Sequence, residues 1–456
     1  METVYKAYPQ INEYIDSLCT SYQNNNQFPQ SAFQRPYVKR GLRNSDGTGV
    51  VAGITTISNV HGYIVNEGER EPVDGVLTYR GYDVRDIVSA VKSENRYGFE
   101  EVCWLLMMGE LPTKSQLESF MRLFEHFRVL PDSFTDDIIL KSPSKDIMNK
   151  LSRIVLALYS YDENPDDLSL ENIMRQSVQI AAQMPVFMVT AYQVKRRAFD
   201  GKSMYFHKPK QGLSTAQNIL RLLRSNKKFT EEEAHLLDIM MILHAEHGGG
   251  NNSTFATRVA SSSGTDTYAA IATGINSLKG PKHGGANHKV TEMFEHIKEN
   301  VSDWENEDEL KDFIAKLIRK EAGDGSGLIY GMGHAVYTKS DPRAEILKEN
   351  AFELAKGTDY EKEFRLINAV ERLTPGVFAE VKGYEKAICA NIDLYTGFVY
   401  KMLGIPPELT TPLFAVSRIP GWCAHRIEEI NTGGRIIRPA YKSIMKSSEY
   451  VPIIER

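Results

Sequence analysis

From Asp83 onward the chain sets apolar residues at helical spacing almost without interruption, which confines it to a mainly α fold. Thr113 precedes a stripe at Leu117, Phe120, Met121, Phe124 and Phe127. Thr230 with Glu233 forms a capping box ahead of Leu236, Leu237, Met240 and Leu243, and Thr411-Pro412 opens another helix with proline in its first turn. Only residues 50–80 differ. There β-branched residues alternate with turn residues (Ser58-Asn59, Asp74-Gly75), which predicts a minor β element near the N-terminus. Before it, Ile11, Tyr14, Ile15 and Leu18 read as one helix, broken by the polar run 23–27. With 456 residues and no internal repeat, the chain can bury a full core in one large domain plus a smaller one, or in about three average domains.

Composition bounds the partners. A net charge of −5 gives no general affinity for nucleic acid or an anionic membrane, so an anionic ligand has to be held by locally placed Arg and His. No apolar run approaches the roughly 20 residues of a membrane span. The opening residues Met1 to Lys6 lack a basic stretch followed by an apolar core, so no secretory signal is expected. Cys19, Cys103, Cys389 and Cys423 are scattered, which suits a reducing cytoplasm rather than a disulfide framework.

Three segments in the last two-fifths carry chemistry: 280–287 (GPKHGGAN), 331–337 (GMGHAVY) and 391–397 (NIDLYTG). Two set a histidine among glycines, and the third sets an aspartate at a helix start. Two polarising imidazoles and one carboxylate base suffice to take a proton from a carbon beside a carbonyl and pass the carbanion to a second carbonyl. His283 lies just ahead of a helix N-terminus, whose positive end disfavours imidazolium; a neutral hydrogen-bond donor is expected. Taken alone, that residue reads equally well as a capping histidine in a loop. His334 ends a run with five glycines in eleven residues (323–333), where backbone can approach a ligand or the loop is merely flexible. That run matches neither GxxxxGK[ST] nor a strand-borne GxGxxG, so a nucleoside-triphosphate site is rejected.

Arg343 follows Ser340-Asp341-Pro342 in the first turn of a helix. There a cation opposes the dipole by about 0.3–1 kcal/mol unless an anion is bound; pairing with Asp341 or Glu345 is the alternative. Asp393 alone reads most simply as a helix cap. Arg418 interrupts the apolar run 413–417 and needs an anionic partner or a route to the surface. Arg438 lies in a Gly-rich segment that by itself assigns it nothing. His244 and His247 form HxxH, but a metal needs a third ligand and the zinc-protease signatures are spaced differently, so no metal site is expected.

In order, these segments closely resemble citrate synthase. The likeness also takes in 49–55 (GVVAGIT), 77–83 (LTYRGYD), 243–247 (LHAEH) and 435–439 (RIIRP), leaving out only the first forty or so residues. The resemblance implies a large helical domain (1–278 and 391–456) and a smaller helical domain (279–390), with the active-site cleft between them and the glycine-flanked segments at the hinges.

It further implies condensation of acetyl-CoA with oxaloacetate and water to citrate and free CoA, without a cofactor. Asp393 would be the base, His283 the enol(ate) stabiliser and His334 the acid at the oxaloacetate carbonyl. His247, Arg343, Arg418 and Arg438 would hold carboxylates, with Arg438 supplied by the second chain of a homodimer. CoA would lie along Ile329, Tyr330, Gly331, Met332 and Gly333 and near Asn391. Some members carry an arginine for a CoA phosphate four residues after the His334 position. Here Thr338 stands there, and Lys339 is the expected substitute. A 2-methylcitrate synthase using propionyl-CoA would share every catalytic residue. A metallohydrolase built on HxxH and a non-catalytic CoA-binding protein are the rivals from other classes.

Overall fold

The computed structural model describes residues 9–25, 29, 31, 34, 35, 37–44, 46–66, 69–384 and 387–456. Its contacts form two units, Met1–Ile54 and Thr55–Arg456. In the first, the expected helix spans Pro9–Asn25. Its stripe residues Tyr14, Ile15 and Leu18 remain exposed. The side chain of Ile11, and residues 26–28 beyond the helix, lie outside the described residues.

The second unit opens with a small antiparallel sheet of three strands in sequential order: β1 (Ser58–Asn66), β2 (Glu69–Tyr79) and β3 (Tyr82–Asp83). The expected turn residues are placed differently. Ser58 and Asn59 pair with Tyr79 and Thr78 as the start of β1, and Asp74-Gly75 lies inside β2. There the register jumps from His61↔Val76 to Tyr63↔Pro72, a bulge that takes Asp74 and Gly75 off the ladder. An Asp-Gly pair has the same backbone freedom in a bulge as in a turn, so sequence could not separate the two.

Helices then follow one another from Val84 to Asn431, and the protein is mainly α. The capping boxes at Thr113 and Thr230 form, opening helices Lys114–Phe127 and Glu231–His244. The core is built around helix Leu170–Asp200 packed on helix Thr410–Asn431. Each is apolar on most of its circumference, and Ile173, Ile180, Phe187, Ile419 and Trp422 are fully buried or nearly so. Each such side chain contributes about 1.5–3 kcal/mol by leaving water. Among the described residues no helix is long and apolar enough to cross a membrane.

Four helix starts and ends converge because their helices touch. Helix Asp393–Met402 packs on both Ala286–Asn300 and Pro342–Ala355, while Glu231–His244 packs on Pro342–Ala355 and on Thr410–Asn431. The residues just before or at these helix ends are His283, Arg343, Asp393 and the 244–247 segment.

Candidate functional site

Arg418 is the centre of the site. It is fully buried on helix Thr410–Asn431, and its guanidinium lies 4.9 Å from the Phe414 ring. Nε donates to His244 O at 2.5 Å, while Nη1 and Nη2 are buried without a protein partner among the described residues. Burial holds its pKa down to about 10, against the pull of Glu246. Its charge also reaches His247, His283, Arg343 and Asp393, so these expected residues share one neighbourhood. A buried cation with two unbonded nitrogens is costly without an anion.

The 244–247 segment reaches this helix because Gly421 allows it. A Cβ there would lie 2.4 Å from both Ala245 O and Glu246 Oε2. Glu246 accepts from Ser58 Oγ (3.0 Å), from Gly248 N (2.6 Å) and from His425 Nε2 (3.0 Å). Arg258 Nη1 lies 2.9 Å from His425 Nδ1 and can only donate, which puts the ring proton on Nε2 facing Glu246. The carboxylate thus anchors the loop that carries His247. His247 is buried with Nε2 unpartnered among the described residues, and burial, then Arg343, hold its pKa well below the usual imidazole value. His244 is lowered likewise by burial, then Arg418. These are neutral rings. Among the described residues no group of three or more His, Cys, Asp or Glu could hold a metal ion.

His334 and Tyr337 stack at 4.7 Å between centroids, and His247 meets both edge-on, at 5.1 and 5.6 Å. Nδ1 of His334 accepts from Val336 N and Tyr337 N, each at 3.1 Å, so the neutral ring carries its proton on Nε2. Arg343 is buried, not exposed, in the first turn of its helix. Its Nε and Nη2 donate to Asp341 at 3.0 and 2.7 Å, and Asp341 also caps the helix. Burial alone would lower the Arg343 pKa, but Asp341 outweighs it and raises it above the ordinary value. The expected dipole cost is therefore offset within the protein by the capping carboxylate.

His283 lies two residues before the N-cap Gly285 of helix Ala286–Asn300, as the glycine pattern predicts. Its pKa is held down to about 4, but the cause differs from the expected helix dipole: burial comes first, then the Arg418 charge. His283 Nε2 lies 3.0 Å from Ser253 Oγ, which accepts from Trp422 Nε1 at 3.3 Å and reaches Asn251 Oδ1 at 2.9 Å.

Asp393 is the first residue of its helix and does not cap it. Ile392 is the N-cap, and the Asp393 carboxylate makes no hydrogen bond to the described residues. Burial pushes its pKa up to about 6, against the opposing charges of Arg343 and Arg418.

The 329–333 loop is tied to residues 389–391, just before the Asp393 helix. Gly333 N donates to Cys389 O (2.7 Å) and Asn391 N to Gly331 O (2.8 Å), and Met332 bridges Ala390. Asn391 uses both amide ends internally, donating to Gly333 O (2.8 Å) and accepting from Asp393 N (3.0 Å). Ile329 is buried against the core, while Tyr330 donates to Asp324 at 2.7 Å. Lys339 is exposed and pairs with Asp74 at 3.0 Å, and the Thr338 hydroxyl is buried without a partner among the described residues. Arg438 is exposed on the segment after helix Thr410–Asn431 and makes no hydrogen bond or ion pair with these residues.

Sequence reading missed Tyr337, Ser253, Trp422, Glu246 as an anchor, and His425. Tyr337 stood inside a quoted motif and could have been chosen. Ser253 and Trp422 gave no signal, being single residues 169 positions apart that meet only in the fold.

The family profile described as "Citrate synthase, C-terminal domain" matches residues 44–440. A citrate synthase of Haloferax volcanii is 33% identical over 405 residues, covering 87% of this chain and 98% of its own. A 2-methylcitrate synthase of Corynebacterium glutamicum is 33% identical over 428 residues, covering 92% and 98%. The structure of a Thermoplasma acidophilum citrate synthase, in ternary complex with carboxymethyl coenzyme A and oxaloacetate, superposes with a TM-score of 0.74 at 26% identity, covering 92% of this chain and 100% of that one.

Proposed function

Since the chain belongs to the citrate synthase family, we infer that it condenses acetyl-CoA with oxaloacetate and water, giving citrate and free CoA. The single observation that carries this reading is Arg418: a buried guanidinium with two unbonded nitrogens among neutral imidazoles suits a small, multiply charged carboxylate. Asp393 removes a methyl proton of acetyl-CoA, and His283 donates to the thioester oxygen as it gains negative charge. Ser253 Oγ, 3.0 Å from His283 Nε2, holds the ring in place for this step. The nucleophilic carbon then adds to the oxaloacetate ketone, and His334 protonates the new alkoxide from Nε2. Water cleaves the thioester, releasing the CoA thiol, and this hydrolysis makes synthesis favourable.

His247, Arg343 and Arg418 bind the oxaloacetate carboxylates. CoA runs along 329–333, with Asn391 supporting that loop from behind and Lys339 beside its phosphates. The large part (1–278, 391–456) and the small part (279–390) close on the cleft. Every proton in the scheme is handled by a named side chain or water, so acetyl-CoA enters as substrate and no cofactor is invoked. Cys19, Cys103, Cys389 and Cys423 are all free thiols, which supports a cytoplasmic enzyme.

Similarity to a 2-methylcitrate synthase supports a second reading in which propionyl-CoA is the acyl donor. Free-thiol release with each thioester, with and without oxaloacetate, tests both. Oxaloacetate-dependent release that is faster with acetyl-CoA is expected. Preference for propionyl-CoA transfers the conclusion to the second reading, and no oxaloacetate dependence refutes both.

The chain acts as a homodimer, with Arg438 serving the partner's site. Its exposure, with no hydrogen bond or ion pair to its own chain's described site residues, supports that placement. Asp393→Ala and Arg438→Ala homodimers should each be nearly inactive, and mixing them should restore activity, because one site then holds its own Asp393 and an Arg438 from the other chain. Heterodimers confirmed by mass that stay inactive would show Arg438 acting within its own chain.

A further inference from the structure

The bulge in β2 faces the segment between His334 and Arg343 more closely than ordinary packing requires. A Cβ on Gly75 would lie 2.2 Å from Ser340 O, 2.8 Å from Tyr337 Cδ1 and 3.0 Å from Pro342 Cδ. One on Gly62, across the bulge, would lie 2.9 Å from Val336 O and 3.0 Å from Tyr337 Cα. No side chain fits at either place.

Taken off the ladder by the bulge, Gly75 turns both of its backbone groups to other partners. Its N–H donates to Ser340 Oγ at 3.0 Å. Its carbonyl accepts from Arg85 Nη1 at 3.1 Å, and the same guanidinium pairs with Glu345 at 2.7 Å in the first turn of the Arg343 helix. On either side, Asp74 pairs with Lys339 at 3.0 Å and Tyr337 Oη donates to Val76 O at 3.3 Å. The two exposed ion pairs count for little by themselves. The backbone contacts count for more, because the held segment includes Tyr337, which stacks on His334 and donates its N–H to His334 Nδ1.

We propose that the bulged face of the β1–β2 hairpin, centred on Gly62 and Gly75, is a positioning element for the oxaloacetate half of the site, fixing residues 336–342 and through them His334 and Arg343. This rests on the reading that His334 and Arg343 bind oxaloacetate. Gly75, Gly62 and Ser340 are positioning residues and touch no substrate. The hairpin belongs to the part we assign to 1–278 and the held segment to 279–390, so the hairpin also sets where that segment comes to rest when the cleft closes.

Gly75→Ala, Ser340→Ala and Ser340→Thr in the full chain test it by steady-state kinetics for each substrate, with oxaloacetate binding by calorimetry and a melting midpoint as control. Gly75→Ala should raise the oxaloacetate KM about tenfold or more, as sub-ångström to ångström misplacement does. The acetyl-CoA KM at saturating oxaloacetate should stay within about threefold, because uniform loss of folded enzyme lowers kcat and leaves both KM values alone. Ser340→Ala, which removes one hydrogen-bond acceptor, should raise the oxaloacetate KM about threefold, and Ser340→Thr should restore it. An oxaloacetate KM and affinity unchanged in folded Gly75→Ala overturns the proposal, and so does an equal rise for both substrates. Should Gly75→Ala fail to fold, the Ser340 pair decides by the same criterion. Wild-type protein that neither binds nor turns over oxaloacetate refutes the reading beneath the proposal before any variant is compared.

Discussion

Asp393→Asn should fold normally and lose about 10²–10⁴-fold in turnover, the usual contribution of a general base. Asparagine keeps the shape of the side chain and removes its basicity. The helix start should tolerate it, because Ile392 is the N-cap and Asn391 accepts the Asp393 N–H. Burial raises the Asp393 pKa to about 6, so in the wild type kcat/KM should fall as pH drops through about 6 and the base takes up a proton. His283, held down to about 4, titrates below that limb. A carboxyl whose folded pKa is raised destabilises the fold increasingly as pH climbs from its unfolded value to about 6, and by a constant amount above. At neutral pH the Asn variant should therefore be as stable as the wild type or more so. Near-normal turnover, or a loss explained by a lower melting midpoint, would return Asp393 to a structural role.

Arg418→Met should separate function from stability even more sharply. The oxaloacetate KM should rise at least about 100-fold, since two charge-assisted hydrogen bonds at about 1.5–3 kcal/mol each are lost. The unliganded protein should melt at the same temperature or higher, because methionine fills apolar space beside Phe414 and removes a buried charge with two unbonded nitrogens. Oxaloacetate should raise the melting midpoint of the wild type by mass action and leave that of the variant unmoved. A variant that unfolds on heating well before the wild type would mean that Arg418 is a structural ion pair with Glu246, and its loss of activity would carry no information about the substrate.

The sequence was most legible where one residue's local surroundings decide its geometry. Thr113 and Thr230 cap their helices because the capping box involves only residues three apart. His283 precedes its helix because Gly284 and Gly285 interrupt the apolar spacing. Legibility failed where geometry is set across the chain. Asp74-Gly75 looks like a turn locally, and only its pairing with β1 makes it a bulge. The low pKa of His283 was expected from its own helix, but burial and Arg418, 135 positions away in sequence, cause it. Arg343 left two readings open, an external anion or a pair with Asp341, and only the fold shows that Asp341 faces it. The resemblance supplied what no local pattern could, namely the expectation that Asp393, His283 and His334 serve one site.

Asn391 has a consequence for how error accumulates in this site. In any assembly of parts, the mismatch between two working surfaces grows with the number of joints between them, unless both are measured from one reference. In the reaction we propose, Asp393 is the base and His334 the acid on the two molecules that become joined, so their separation is the dimension that matters. They lie 59 residues apart, yet Asn391 meets the carbonyl of Gly333, next to His334, with one end of its amide and the N–H of Asp393 with the other. The chain between them can therefore breathe without that separation drifting. A change at the amide would displace the two independently, although it meets only backbone and touches neither working side chain.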